Sequence, residues 1–198
     1  MFYWICWMYW VFLTFFLDKL NPYRFKLSFF ILISIILSNF HFVVWGFELY
    51  ASGLFLLAVS YFLIGRERKG AIIYFFICSF IVSIAYVTFH LFEIFDPIWI
   101  VFKKEWMMGI CFTTLAILLQ KNLRGRMLII VSGTMQGEFL YAYILSKYHF
   151  PYTIGSYSYL DVCLLISSLL VGWSCLENAG AFFGNHFNLL GRAKQKTS

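Results

Sequence analysis

The sequence predicts an all-α fold, a polytopic bundle of about seven transmembrane helices, and three observations lead to this class. Hydrophobic residues make up 62% of the 198 residues and charged residues only 12%, and the mean hydropathy is +0.81. These values lie far outside the range of soluble domains. The apolar residues form runs close to the ~20 residues that cross a bilayer, and short basic clusters separate the runs. The chain is therefore predicted to be one integral membrane domain, residues 1–198.

Seven apolar stretches are predicted to cross the membrane. They are residues 2–17, 27–43, 48–65, 71–95, 106–120, 127–147 and 160–184. The first stretch follows no basic region, so we expect it to stay as a span and not to be cleaved as a signal peptide. The first and fifth stretches are short and can lie partly in the interface, where aromatic rings are favoured. The break between the second and third is brief, and we predict a tight hairpin there.

The basic residues are divided unequally between alternate loops. Twelve of the fifteen lie in loops one, three and five and in the C-terminal tail: Lys19, Arg24, Lys26, Arg66, Arg68, Lys69, Lys121, Arg124, Arg126, Arg192, Lys194 and Lys196. The other loops hold three: Lys103, Lys104 and Lys147. Because cytoplasmic loops carry the excess of Lys and Arg, the N-terminus is predicted outside and the C-terminus in the cytoplasm of a plasma-membrane protein.

Several function classes have no motif in this sequence. It contains no P-loop, no G-x-S-x-G and no H-E-x-x-H, so an enzyme lacks its usual signatures. The positive net charge of +6 is scattered between spans and does not line one face, which argues against nucleic acid as a partner. The cysteines show no C-x-x-C spacing, and we expect neither a metal nor a cofactor. All five lie in apolar runs: Cys6, Cys78, Cys111, Cys163 and Cys175.

The stretch FHLFEIFDPIW, residues 89–99, places polar side chains near the outer end of the fourth helix. Tyr86, His90 and Glu93 are spaced i, i+4 and i+7, so they share one face and can meet the same neighbour. Asp96 directly precedes a proline, where helices tend to end, and is predicted to close the helix. H-x-x-E can supply two metal ligands, but di-iron bundles need a second copy and further carboxylates. We therefore predict a polar cluster and no metal site.

The sixth stretch, MLIIVSGTMQGEFLYAYIL, carries a glycine pair and a buried acid. Gly133 and Gly137 form a G-x-x-x-G motif that lets another helix approach closely. Glu138 is predicted near mid-membrane, on a different face that it shares with Thr134 and Tyr141. An ionised carboxyl costs several kcal/mol in hydrocarbon unless it is paired or hydrated. Glu138 is thus the best single candidate for a proton- or cation-responsive group; the alternative is a hydrogen-bonded acid that fastens helices together.

The remaining polar residues are predicted to make structural contacts. They are His41, Glu48, Asp96, Asp161, Glu177 and Asn178. Asp161 lies near the start of the seventh helix, where the helix dipole favours an anion. Glu177 shares a face with Gly180 and Gly184, and we expect this face to pack against protein, with the acid pointing inward.

Four segments together resemble the YphA family of uncharacterised bacterial membrane proteins. They are FHLFEIFDPIW (89–99), MQGEFLYAYIL (135–145), PYTIGSYSYLD (151–161) and WSCLENAG (173–180). The resemblance covers most of the chain in the same order. It implies a small multi-pass protein of the bacterial plasma membrane, and it implies no reaction, ligand or catalytic residue.

Three interpretations of function remain open at this point. The first is a non-enzymatic scaffold or subunit, with the lipid bilayer and another membrane protein or a second copy as partners. The second is a small transporter or channel that uses Glu138, and it requires a path joining Glu138 to Glu93. The third is a membrane-embedded enzyme acting on lipid-like substrates, which requires the outer His and acids to converge around a lipid-sized cavity.

Overall fold

Seven helices and three short strands form the described part of the chain. The structure, a computed structural model, describes residues 1–18, 21–44, 46–96, 98 and 103–196, with side chains up to residue 180 except that of Pro22. The helices are α1 (Phe2–Phe15), α2 (Pro22–Leu37), α3 (Ala51–Ile64), α4 (Lys69–Phe95), α5 (Lys104–Leu119), α6 (Leu123–Ser146) and α7 (Tyr157–Lys196). The strands are β1 (His41–Val44), β2 (Phe47–Tyr50) and β3 (Thr153–Ile154).

Successive helices alternate in direction, so the bundle has two ends. At one end, the Tyr3 hydroxyl of α1 lies 3.0 Å from Ser38 Oγ after α2 and 3.1 Å from the Tyr157 hydroxyl of α7. At the other end, the Tyr74 hydroxyl of α4 donates to the carbonyl of Leu119 in α5 at 2.5 Å. We call the first the sheet end, because it carries the three strands. The second is the arginine end, which carries Arg66, Arg68, Arg124 and Arg126.

Among the described helices, α4 and α6 form the most extensive contact. A Cβ at Gly133 would lie 2.6 Å from Val82 Cβ, and one at Gly137 would lie 2.8 Å from Tyr86 Cβ. Only glycine allows this approach, and it gives the two helices packing contacts that lipid cannot supply. Nearer the arginine end, the hydroxyls of Ser79 and Ser132 lie 2.6 Å apart across the same contact. Helix α6 is accordingly the most buried long helix of the bundle.

The sheet corrects the all-α prediction and the ends of two predicted spans. Strands β1 and β2 pair antiparallel, and β2 pairs parallel with β3. The stretches 27–43 and 48–65 were predicted to be helical throughout, but their facing ends are strands. The hairpin sequence is rich in β-branched and aromatic residues, which favour strands. Gly46, with φ of 83°, supplies the positive-φ turn that glycine adopts without strain.

Three of the described helices are long and apolar enough to cross a bilayer: α4, α6 and α7 over Tyr157–Gly180. Helices α1 and α3 are apolar but have 14 residues each, which is about 21 Å against a hydrocarbon core of about 30 Å. One side of α4 is strongly apolar and exposed, as expected for a lipid-facing surface. It carries Ile73, Phe76, Ile77, Phe80, Ile81 and Ile84.

Candidate functional site

Glu138 is fully buried and accepts three hydrogen bonds. Its Oε1 accepts from the hydroxyls of Tyr86 in α4 and Tyr152, the latter at 2.7 Å, and its Oε2 accepts from the backbone N–H of Gly155 at 3.0 Å. The glycine seam, Gly133 and Gly137, was predicted on a different face of α6 from the acid. Tyr86 contacts Gly137 with its Cβ and ring and reaches Glu138 with its hydroxyl, so one tyrosine joins both features.

The connection between α6 and α7, residues 147–156, brings two of these donors to Glu138. Strand β3 pairs with β2 and draws the connection toward the bundle. Gly155 has φ of 71°, and a Cβ there would lie 3.4 Å from the Cα of Gly53, so both glycines permit close approach. Burial, and secondarily the charge of Glu138, raises the pKa of the Tyr152 phenol well above its usual range. Tyr152 therefore stays protonated and remains a donor.

His90 lies beside this cluster, toward the sheet end. Its ring centroid is 4.5 Å from that of Tyr86 and 5.0 Å from that of Tyr141. Its Nδ1 is 3.4 Å from Glu93 Oε2, which also lies 2.6 Å from Lys104 Nζ of α5. The His90 side chain is only 7% exposed, and within the described residues its buried Nε2 has no hydrogen-bond partner.

A cavity of about 130 Å³ joins the His90 group to the Glu138 group. It is lined by Tyr86, His90, Lys104, Met108, Glu138, Tyr141, Tyr152, Ser156, Ser158, Tyr159 and Val162. This volume has room for a few water molecules or one small solute. A buried imidazole nitrogen without a partner costs about 1–3 kcal/mol, so an occupant that bonds His90 Nε2 would be stabilising.

Three other predicted residues at the sheet end are not part of the cavity lining that the structure describes. The ring of His41 packs against that of Tyr50 at 5.9 Å, and Glu48 is exposed on β2. Asp96 follows the last residue of α4 and accepts from the backbone N–H of Ile98 at 3.2 Å. These residues shape the end of the bundle and do not contribute to the polar cluster.

Glu177 pairs with an arginine that the sequence had placed in a loop. Helix α6 begins at Leu123, four residues before the predicted span, so Arg126 is helical and only 3% exposed. Its two guanidinium Nη atoms lie 2.9 and 3.0 Å from the two carboxylate oxygens of Glu177, and Trp173 Nε1 donates to the same carboxylate at 2.7 Å. The bidentate geometry is the strong form of this pair, and it ties α6 to α7.

The glycine face predicted beside Glu177 is wrong at Gly180. A Cβ at Gly180 would meet no atom within 4 Å, so this glycine packs no helix within the described residues. Gly184 lies beyond residue 180, outside the described side chains, and Asn178 is exposed. At the other end of α7, Asp161 accepts from the backbone N–H of Phe2, which holds α1 against α7.

Sequence reasoning missed several residues of these polar contacts, among them Lys104, Arg126, Tyr152 and Gly155. Lys104 and Arg126 were treated only as loop charges that set topology. Tyr152 and Gly155 lie between the sixth and seventh predicted spans and were given no role in these contacts. A partial signal existed, because a buried acid needs donors, but no spacing in the chain connects Tyr152 to Glu138.

A helical bundle with apolar outer faces and a buried polar cluster between its long helices defines a polytopic integral membrane protein. The chain belongs to the family of YphA-like integral membrane proteins, whose family model matches residues 1–196. It is 30% identical over 183 residues to the uncharacterized protein YphA of Bacillus subtilis (strain 168), covering 92% of this chain and 90% of that one. No solved structure matches the chain. The family resemblance of the sequence is confirmed.

Proposed function

We propose that this protein is a non-enzymatic solute-binding protein of the bacterial plasma membrane, with its binding site in the cavity between His90 and Glu138. The observation that carries this proposal is the buried Nε2 of His90, which has no partner among the described residues although His90 is one of the residues that line the cavity. The ligand is a small polar molecule that carries a hydrogen-bond donor, since Glu138 uses three of its roughly four acceptor sites.

The cavity supports the second interpretation of the sequence more than the first. A pure scaffold needs no polar cavity, whereas a transporter was expected to join Glu93 to Glu138. Glu93 contacts His90 and Lys104, and both of these line the cavity with Glu138. Toward the arginine end, α4 packs tightly on α6 at Gly133. The arrangement is therefore that of a binding site reached from the sheet end, and transport would require α4 to move against α6.

The enzyme interpretation has less support from this geometry. Lys104 neutralises Glu93, and three donors engage Glu138, so both acids are already paired. The cavity of about 130 Å³ is also smaller than the roughly 300–1,000 Å³ typical of pockets for larger organic ligands. A lipid-like substrate would not fit between His90 and Glu138.

A cysteine in the cavity should be reachable by water, and this tests the proposed site. Cys111 and Cys175 are exposed and are first replaced by serine. In that background, Ser156→Cys is expected to react with a charged methanethiosulfonate about tenfold faster than Val131→Cys, because the reactive thiolate forms only where water reaches it. Val131 is a half-buried residue of α6 in the lining of a separate, apolar cavity, which makes it the control. Equal rates at the two positions would refute an aqueous cavity.

Solute binding itself is tested by thermal stability in nanodiscs. A panel of small amines, amino acids and polyols is added to wild type, to His90→Phe and to Glu138→Gln. A ligand that binds only the folded protein raises the melting temperature, by an amount that grows with the logarithm of its concentration relative to its Kd. We expect a hit with wild type that both variants lose. If every hit with wild type persists in His90→Phe, the cavity is not the site.

The topology that accompanies this function has seven crossings, the N-terminus outside and the C-terminus in the cytoplasm. The twelve basic residues of loops one, three and five and of the C-terminal tail support it. In the same cysteine background, Lys103→Cys should react with a membrane-impermeant maleimide on intact cells. Lys121→Cys and a cysteine at Lys194 should react only after permeabilisation. Labelling of position 194 on intact cells would contradict the orientation.

A further inference from the structure

A second cavity, separate from the polar one, lies between α1, α2, α3, α6 and α7. Its volume is about 500 Å³, which lies within the roughly 300–1,000 Å³ typical of pockets for drug-sized organic ligands. We call it the apolar slot. Because of the residues that line the apolar slot, we propose that the slot holds one acyl chain of an anionic phospholipid, whose phosphate is bound by Arg124.

The lining explains why the occupant is a hydrocarbon chain. Most of the side chains are aliphatic or aromatic, and the serines among them are already bonded to their own helices. Ser34, Ser60 and Ser167 donate to backbone carbonyls three or four residues earlier, at 2.9, 2.8 and 2.8 Å. The slot therefore offers these hydroxyls to no polar solute. Water does not settle in a cavity without polar partners, and an empty one destabilises a protein in proportion to its volume.

The position of the lining residues along the helices shows how a lipid would enter. Leu63 is at the end of α3, Leu123 is at the start of α6, and both lie at the arginine end of the slot. At its other limit the slot meets Phe2 and Leu160, which are buried at 4% and 1% exposure. The slot thus runs along the bundle, in the direction of a lipid tail, with its charged residue at one end.

Arg124 determines the kind of lipid. Of the described residues it is the one charged side chain in the slot lining. Its side chain is 62% exposed, and its contact with Glu67 is 3.4 Å long, so this pair is weak and leaves most guanidinium donors free. A guanidinium matches a phosphate through two parallel hydrogen bonds. Further basic residues at the arginine end would also attract anionic lipid.

Native mass spectrometry of the full-length protein tests the proposal. The protein is exchanged into mixed micelles that contain equal dioleoyl phosphatidylglycerol and dioleoyl phosphatidylcholine. Wild type is expected to retain phosphatidylglycerol with about tenfold preference, as a charge-assisted contact would provide. Val131→Trp places an indole in the slot and should lose the retained lipid. Leu118→Trp, on an exposed part of α5, is the matched control and should retain it.

A second pair of variants separates the tail from the headgroup. Arg124→Ala should still retain a lipid but lose the preference for phosphatidylglycerol. Lys121→Ala removes an exposed cation from the same end without touching the slot, and should keep the preference. If Val131→Trp does not fold, as judged by its melting temperature, Leu56→Phe replaces it. The proposal is overturned if the folded slot variant retains as much lipid as wild type, or if Lys121→Ala and Arg124→Ala reduce the preference equally.

Discussion

Replacing Glu138 with leucine is expected to destabilise the protein by about 3 kcal/mol or more. The substitution leaves the hydroxyls of Tyr86 and Tyr152 and the N–H of Gly155 without their acceptor. Each buried donor left unpaired costs about 1–3 kcal/mol, and partial rearrangement toward the cavity lowers the sum. The free energy of unfolding is measured by reversible denaturation in mixed micelles.

Glu138→Gln is the matched variant, since it keeps the shape of the side chain. Its amide oxygen still accepts from Tyr86 and Tyr152, but its NH₂ group faces the N–H of Gly155 and loses that bond. We expect a loss of about 1 kcal/mol, so the protein still folds. The ordering wild type, Gln, Leu is the result that supports a hydrogen-bonding role. Equal stability and equal phenotype for all three would show that this acid does not matter.

Gly133→Ala is expected to cost about 2 kcal/mol, because overpacking a close contact typically costs 1–3 kcal/mol. The new methyl would lie 2.6 Å from Val82 Cβ and 2.7 Å from the backbone carbonyl oxygen of Ser79. Neither atom is the end of a flexible side chain, so α4 and α6 must move apart. The same micelle assay measures the loss, and disulfide crosslinking between the two helices should report the wider separation.

Gly172→Ala is the control for the glycine experiment. Gly172 lies within α7, and a Cβ there would meet no atom within 4 Å. Alanine favours the helix by about 0.5–1 kcal/mol over glycine when nothing obstructs it. We therefore expect Gly172→Ala to be neutral or stabilising. If both alanine variants had the same effect, close packing at Gly133 would not be what stabilises the α4–α6 pair.

The substitutions at Glu138 and at Gly133 both affect the contact between α4 and α6. Tyr86 packs against Gly137 and donates to Glu138, so separation of α4 from α6 would also lengthen the Tyr86 hydrogen bond. We expect the effects of Gly133→Ala and Glu138→Leu to be non-additive when combined, as for residues that share a partner. The double variant measures this coupling directly. If the loss of stability in the double variant equalled the sum of the two single losses, the packing at Gly133 and the hydrogen bonds of Glu138 would act independently.

The sequence predicted the features that depend on composition and local spacing. Apolar runs indicated helices close to the observed ones, because lipid requires each spanning backbone to satisfy its own hydrogen bonds. The G-x-x-x-G spacing indicated that a helix would approach Gly133 and Gly137, and α4 is the helix that does so. The hairpin at Gly46 was expected as a turn, and its strands were missed because short aromatic runs look alike in helices and strands.

The polar contacts depend on residues far apart in the chain. Glu138 and Tyr86 are separated by 52 positions, and Arg126 and Glu177 by 51. Helical periodicity predicts which residues share a face, but it does not predict which face of another helix will meet it. For that reason Glu138 lacked an obvious partner in the sequence, and Arg126 was not identified as the partner of Glu177.

By itself, then, the sequence determined the class of protein, the approximate number and order of its helices, and the glycine seam, because these follow from lipid solvation and from contacts a few residues apart. Only the tertiary structure decided that His90, Lys104 and Glu138 line one cavity and that five helices enclose the apolar slot. The physical reason is that a cavity belongs to the space between helices, and its shape depends on how distant segments pack.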